Sequence, residues 1–163
     1  MMPKSNTVDK SERLKFLRRV VDKEIHHLNY SAQKIFNKPF TVERAKQLNA
    51  DEELAEQLEA FTSRFCRLQD TLGDKLLPAW LDILEEKSTV AIDNLDKAEK
   101  IGVLPSVDLW LELRQLRNQM IHDYIEDLTI LVDALQTAYK NLGFIVGVAN
   151  AINADLESRG ISK

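Results

Sequence analysis

"LRQLRNQMIHDY", residues 113–124, carries the densest polar chemistry in the chain and decides how the rest is read. Leu113, Leu116 and Met120 recur at three- and four-residue steps with no glycine or proline between them, which is the period of one helix face. On a projection of about 100° per residue with Arg117 at zero, Leu109, Leu113, Leu116 and Met120 fall between about −100° and −40°. That is a core stripe. Glu112, Gln115, Gln119 and Asp123 fall between about 160° and 240°, an ordinary solvated face. A third sector, from about 0° to 140°, mixes Trp110, Leu111, Ile121 and Ile125 with Arg114, Arg117, Asn118 and His122. Asn118 and His122 are i,i+4 neighbours, and Arg117 and Tyr124 project about 20° apart. Large apolar side chains argue against a solvated face, and two arginines argue against a monomer core. A surface buried against a second copy accounts for both, so this sector predicts a homodimer with a polar cleft at its interface.

Working outward, the same helical period recurs along the chain. Leu14, Leu17, Val21, Ile25 and Leu28 predict a helix from Ser11 to about Phe36, with residues 1–10 frayed and "NKPF" breaking it at Pro39. A short helix over "VERAKQLN" follows, capped by Thr41. Asp51 caps a long one with Leu54, Leu58, Phe61, Phe65, Leu68 and Leu72 as its buried stripe, kinked or ended by Pro78. "AWLDILEE" makes a short helical piece, and residues 90–101 make another that Gly102 stops. Ser106 caps the helix of the opening stretch, and the remainder forms one or two apolar helices split near Gly143. The expectation is an all-α fold, an antiparallel up-and-down bundle of about four long helices with short connectors, in one domain over 1–163.

Composition agrees and excludes much else. Of 163 residues, 44% are hydrophobic and 29% charged, the balance of a globular domain long enough to bury a core. Five glycines, four prolines and no sustained apolar/polar alternation argue against strands. No apolar run approaches the roughly 18 residues of a membrane span, and "MMPKSNTVDKSER" lacks the apolar centre of a secretory signal. The single cysteine, Cys66, cannot form an internal disulfide and suits a reducing cytoplasm. A net charge of −4 argues against coating nucleic acid, so any RNA contact is expected to be local, with Arg64, Arg67 and Arg114 as the available patch.

A histidine titrates near neutral pH and can take or give a proton, while an arginine presents a permanently charged fork to phosphate. Together they suffice for metal-independent RNA cleavage, with His122 handling a 2′-OH or leaving-group proton and Arg117 stabilising charge on the phosphate. Two-fold symmetry would add a second pair. On spacing alone the alternative stays open, because an Arg and a His on an apolar helix also occur as a structural pair.

"RNQMIHDY" resembles the R-x4-6-H signature of the HEPN superfamily. With Tyr124 two residues after His122 it resembles the longer R-x4-H-x-Y form of the HepT-like branch, toxins paired with minimal nucleotidyltransferase antitoxins. Asn118 matches the polar residue often found after the arginine. "RFCRLQDTLGDKLLPAWLDIL" and "IDNLDKAEKIGVLPSVDLWLELRQLRNQMIHDY" resemble helices of proteins encoded beside such enzymes. The resemblance implies a dimeric ribonuclease with Arg117 and His122 catalytic, single-stranded RNA or tRNA as substrate, and no cofactor. It also implies that the partner nucleotidyltransferase silences the toxin by adding AMP to Tyr124, placing bulk and negative charge where RNA phosphate enters. The alternative is a non-catalytic subunit that binds substrate for a two-component nucleotidyltransferase.

Other residues carry weaker signals. His26 and His27 point about 100° apart on a helix, and no further ligand completes a metal site. Cys66 reads as a small packed residue, "KFLRR" as a solvated face, and Gln69, Asp70 and Asp74 as either a cleft edge or helix caps and ion pairs.

Overall fold

The computed structural model describes residues 2–122 and 126–163, with side chains from Asp9 onward. The fold is all-α, and no strand occurs among the described residues. Helix α1 runs Met2–Ile35, beginning upstream of Ser11, where the apolar period starts; Pro3 lies in its first turn, where a missing N–H costs nothing. After it come α2 (Val42–Ala45), α3 (Glu52–Thr71), a π-helical turn (Leu72–Leu76), α4 (Leu77–Ile83), α5 (Ala91–Ile101), α6 (Val107–Ile121), α7 (Leu128–Lys140) and α8 (Leu142–Ser158).

The boundaries have identifiable causes. The Arg44 guanidinium closes the C-terminal end of α1, donating to the carbonyls of Ile35 and of Lys38 (2.8 Å) and to the Asn37 side chain (3.2 Å). Burial holds the Arg44 pKa below its ordinary value, against the opposing charge of Asp51. Thr41 accepts from the Arg44 N–H at 3.2 Å, and Asp51 from the Leu54 N–H at 3.0 Å, so both expected caps are in place. Gly102, at φ 101°, ends α5 with its N–H donated to the carbonyls of Ala98 and Glu99. At the start of α6 the Val107 N–H is taken by the Glu99 carboxylate at 2.7 Å.

Pro78 does not end the helical path. The π-turn precedes it, with the Leu77 N–H reaching back five residues to the Leu72 carbonyl. Pro78 then falls in the first turn of α4, where the wider turn removes the i−4 carbonyl clash that would break an α-helix.

The chain divides into two compact units. The first comprises Met1–Lys23, Gln69–Val107 and Phe144–Lys163. Its core includes Leu14, Leu17, Val21, Leu76, Trp80, Leu81, Leu104, Ile145, Ile152 and Leu156. Polar ties reinforce it: Trp80 donates its indole N–H to Asp155 at 2.7 Å, and Asn94 accepts from the Ser88 N–H at 2.7 Å. "KFLRR" is a solvated face only in part: Phe16 and Arg19 are exposed and Lys15 half-buried, but Arg18 is not. Arg18 is buried, donating to Asn153 (3.2 Å), the Glu157 carboxylate (2.7 Å) and the Ile161 carbonyl (2.6 Å), because it sits one residue from the Leu14/Leu17/Val21 stripe and finds acceptors on α8.

The second unit comprises Glu24–Leu68 and Asp108–Gly143. Leu28, Ile35, Phe40, Leu58, Phe61, Phe65, Leu113, Leu131 and Leu135 are buried in it. Phe36 stands edge-on to Phe61 (5.3 Å between ring centres) and stacks on Tyr139 (4.1 Å), joining α1, α3 and α7. The Gln136 amide donates to the Phe40 carbonyl at 2.9 Å, fixing the connection before α2 onto α7. No helix among the described residues is long and apolar enough to cross a membrane.

Candidate functional site

The candidate residues lie in the second unit, at the C-terminal end of α6. The His122 N–H donates to the Asn118 carbonyl at 2.9 Å, so the helical register of α6 carries through His122. Leu113, Leu116 and Met120 are buried, as the projection required. Trp110 is buried too, at 1% exposure, which removes it from the mixed third face and adds it to the core stripe. The reason is angular: at about 20° it borders Leu113 at about −40°, and a core stripe is commonly 100° wide or more. Leu109, expected in the core stripe at about −80°, is only half-buried.

What remains of the third face is polar and accessible. Arg117, Asn118 and His122 are exposed, Arg114 and Leu111 are half-buried, and Ile121 is 41% exposed. Tyr124, with Asp123 and Ile125 beside it, lies outside the described residues. Arg117 and His122 are five residues apart, so they splay by about 140° and are offset by about 7.5 Å along the axis. Asn118 stands between them on the projection. One such helix therefore offers a guanidinium fork and an imidazole in one neighbourhood, but directs them to different sides.

The next helix is anchored close by in sequence. Asp127 caps α7, accepting from the Thr129 hydroxyl (2.6 Å) and N–H (2.9 Å). Those two bonds, the hydroxyl first, hold the Asp127 carboxyl below the usual carboxylate value.

The remaining sequence candidates fall in various places. Cys66 is buried, a packed residue of α3. Gln69 is buried, Asp70 half-buried, and Asp74 exposed on the π-turn. The rings of His26 and His27 meet edge to face at 5.3 Å, and no group of three or more metal-binding side chains occurs among the described residues. Arg64 does not extend into solvent; it donates to the Ser31 hydroxyl (2.6 Å) and the His27 carbonyl (3.1 Å). The i,i+3 spacing of Arg64 and Arg67 was legible in sequence, but its partner face on α1 was not. No family model, curated protein or solved structure matches this chain.

Proposed function

We propose that the chain is a metal-independent endoribonuclease of HEPN type, the toxin of a toxin–antitoxin pair. It acts in the cytoplasm as a homodimer on single-stranded RNA or tRNA. Arg117 and His122 are its catalytic residues, Asn118 and Arg114 support them, and a minimal nucleotidyltransferase silences it by transferring AMP from ATP to the Tyr124 hydroxyl with release of pyrophosphate. The observation that carries this reading is the exposure of Arg117, Asn118 and His122 together on α6 in the spacing R-x4-H-x-Y.

The splay of Arg117 from His122 favours a composite site. One helix directs the fork and the imidazole about 140° apart, whereas a two-fold axis running beside this face would set the arginine of each copy beside the histidine of the other. One His122 would accept the ribose 2′-OH proton as that oxygen attacks the adjacent phosphorus. The other would protonate the departing 5′-oxygen, leaving a 2′,3′-cyclic phosphate. The arginines would stabilise the charge that builds on the phosphoryl oxygens.

The test is cleavage of single-stranded RNA by purified protein in the presence of a chelator. Arg117→Ala and His122→Ala are each expected to lower the rate at least a hundredfold while leaving helicity intact, because both side chains are exposed. Undiminished cleavage by His122→Ala, or an absolute requirement for Mg²⁺, would overturn the reading. Tight RNA or nucleotide binding with no cleavage by the wild type would favour the substrate-binding subunit of a two-component nucleotidyltransferase instead.

A further inference from the structure

Within the second unit, α1 and α3 bring together a second cluster of polar and charged side chains. Glu24, His27 and Ser31 are spaced i, i+3, i+7 along one face of α1, and Arg64 and Arg67 are i, i+3 on α3. Glu24, His27, Arg64 and Arg67 line a pocket of about 120 Å³. Arg64 is fixed at its wall: Nη1 donates to the hydroxyl of Ser31, itself 3% exposed, and to the His27 carbonyl. Both bonds are made through Nη1, one corner of the five-donor guanidinium fork. Arg67, on the same face of α3, is exposed and lines the pocket beside it.

Charge and size both narrow the ligand. Two permanent cations against one carboxylate leave the lining positive, in a chain whose net charge is −4. Pockets for drug-sized ligands run to about 300–1,000 Å³, so this one holds a small tetrahedral oxyanion with any attached group outside. Guanidinium forks match phosphate oxygens in spacing and charge, and a fork already held by a buried hydroxyl loses little freedom on binding.

We propose that Arg64 and Arg67 hold a single phosphate group in the pocket that Glu24 and His27 also line, the phosphate being carried by a single-stranded RNA backbone or free in solution. The site is independent of catalysis by Arg117 and His122. Calorimetric titration with inorganic phosphate, and separately with a short single-stranded RNA lacking terminal phosphates, tests it. Wild type, Arg67→Gln and the charge control Lys100→Gln are compared, with the RNA arm in a His122→Ala background to prevent turnover.

Arg67→Gln is expected to weaken binding at least tenfold, while Lys100→Gln stays within twofold of wild type. If the RNA backbone is the source, Arg67→Gln also reduces the slope of log affinity against log salt by about 0.7. If only inorganic phosphate binds through Arg67, the source is free phosphate. Absence of binding to wild type at millimolar ligand, or equal losses in Arg67→Gln and Lys100→Gln, would overturn the proposal. Phosphate binding through Arg67 in a protein without ribonuclease activity would uphold this site and remove the ribonuclease reading alone.

Discussion

Replacing Asp155 by asparagine isolates one charge at the junction of α4 and α8. Asp155 Oδ2 accepts from the Trp80 indole N–H and from Arg159 Nε, each at 2.7 Å, and Trp80 is 1% exposed. Burial pushes the Asp155 carboxyl up, but the hydrogen bonds from Arg159 and Trp80, with the charge of Arg159, carry it below the usual carboxylate value. Asparagine keeps an acceptor for the indole and loses the charge. A hydrogen bond to a charged group contributes about 1.5–3 kcal/mol against about 1 for a neutral one, so the Trp80 contact loses about 0.5–2 kcal/mol. The Arg159 pair is i,i+4 and partly solvated, and adds only about 0.3–0.5 kcal/mol. The expected cost at pH 7 is about 1–2 kcal/mol, and at about 2–4 °C per kcal/mol for a chain of this length Tm falls by about 2–8 °C.

The pH dependence makes the test sharper. Because the folded-state value is depressed, the stabilisation is complete above the unfolded value of about 3.9 and disappears as pH falls from there through the folded value. Urea unfolding followed by circular dichroism at pH 7, 5, 4 and 3 should therefore show the gap between wild type and Asp155→Asn narrowing only below about pH 4. Equal stability of the two proteins at pH 7, or a gap that persists unchanged to pH 3, would refute the assignment of this stabilisation to the Asp155 charge.

Gly102→Ala should lower stability by about 1–2 kcal/mol, read as a shift in the urea midpoint at constant slope; φ is 101° and a Cβ would meet nothing within 4 Å, so the cost is backbone strain alone. Arg18→Met should cost about 1–2 kcal/mol in thermal unfolding, because methionine fills the stem volume while the Ile161 carbonyl and Asn153 lose their donor and the exposed Glu157 rehydrates. The same variant should speed amide exchange over residues 160–163, and unchanged exchange there would contradict an anchoring role for Arg18.

Much of the local structure was legible because its causes are local. The Leu14/Leu17/Val21 and Leu54/Leu58/Phe61 stripes repeat at the helical period, Thr41 and Asp51 cap with their own side chains, and Gly102 adopts a conformation that other residues resist. That Arg117, Asn118 and His122 lie off the core stripe was also foreseeable, since their position on the wheel follows from residue spacing alone.

Where a residue's fate depends on what another segment brings, sequence could not decide. Trp110 sat at the margin between core and interface, and only the packing of its unit put it in the core. Arg18 read as solvated until Asn153, Glu157 and the Ile161 carbonyl, distant in sequence, supplied acceptors that make its burial affordable. Arg64 and Arg67 were two cations of a possible patch, and became walls of a pocket when α1 presented Glu24, His27 and Ser31 to them. The sequence by itself determined where the helices lie to within a few residues and their main apolar stripes, because period, caps and breakers act locally. Only the tertiary structure decided which polar groups are buried with partners, because desolvation is offset by acceptors that lie far along the chain.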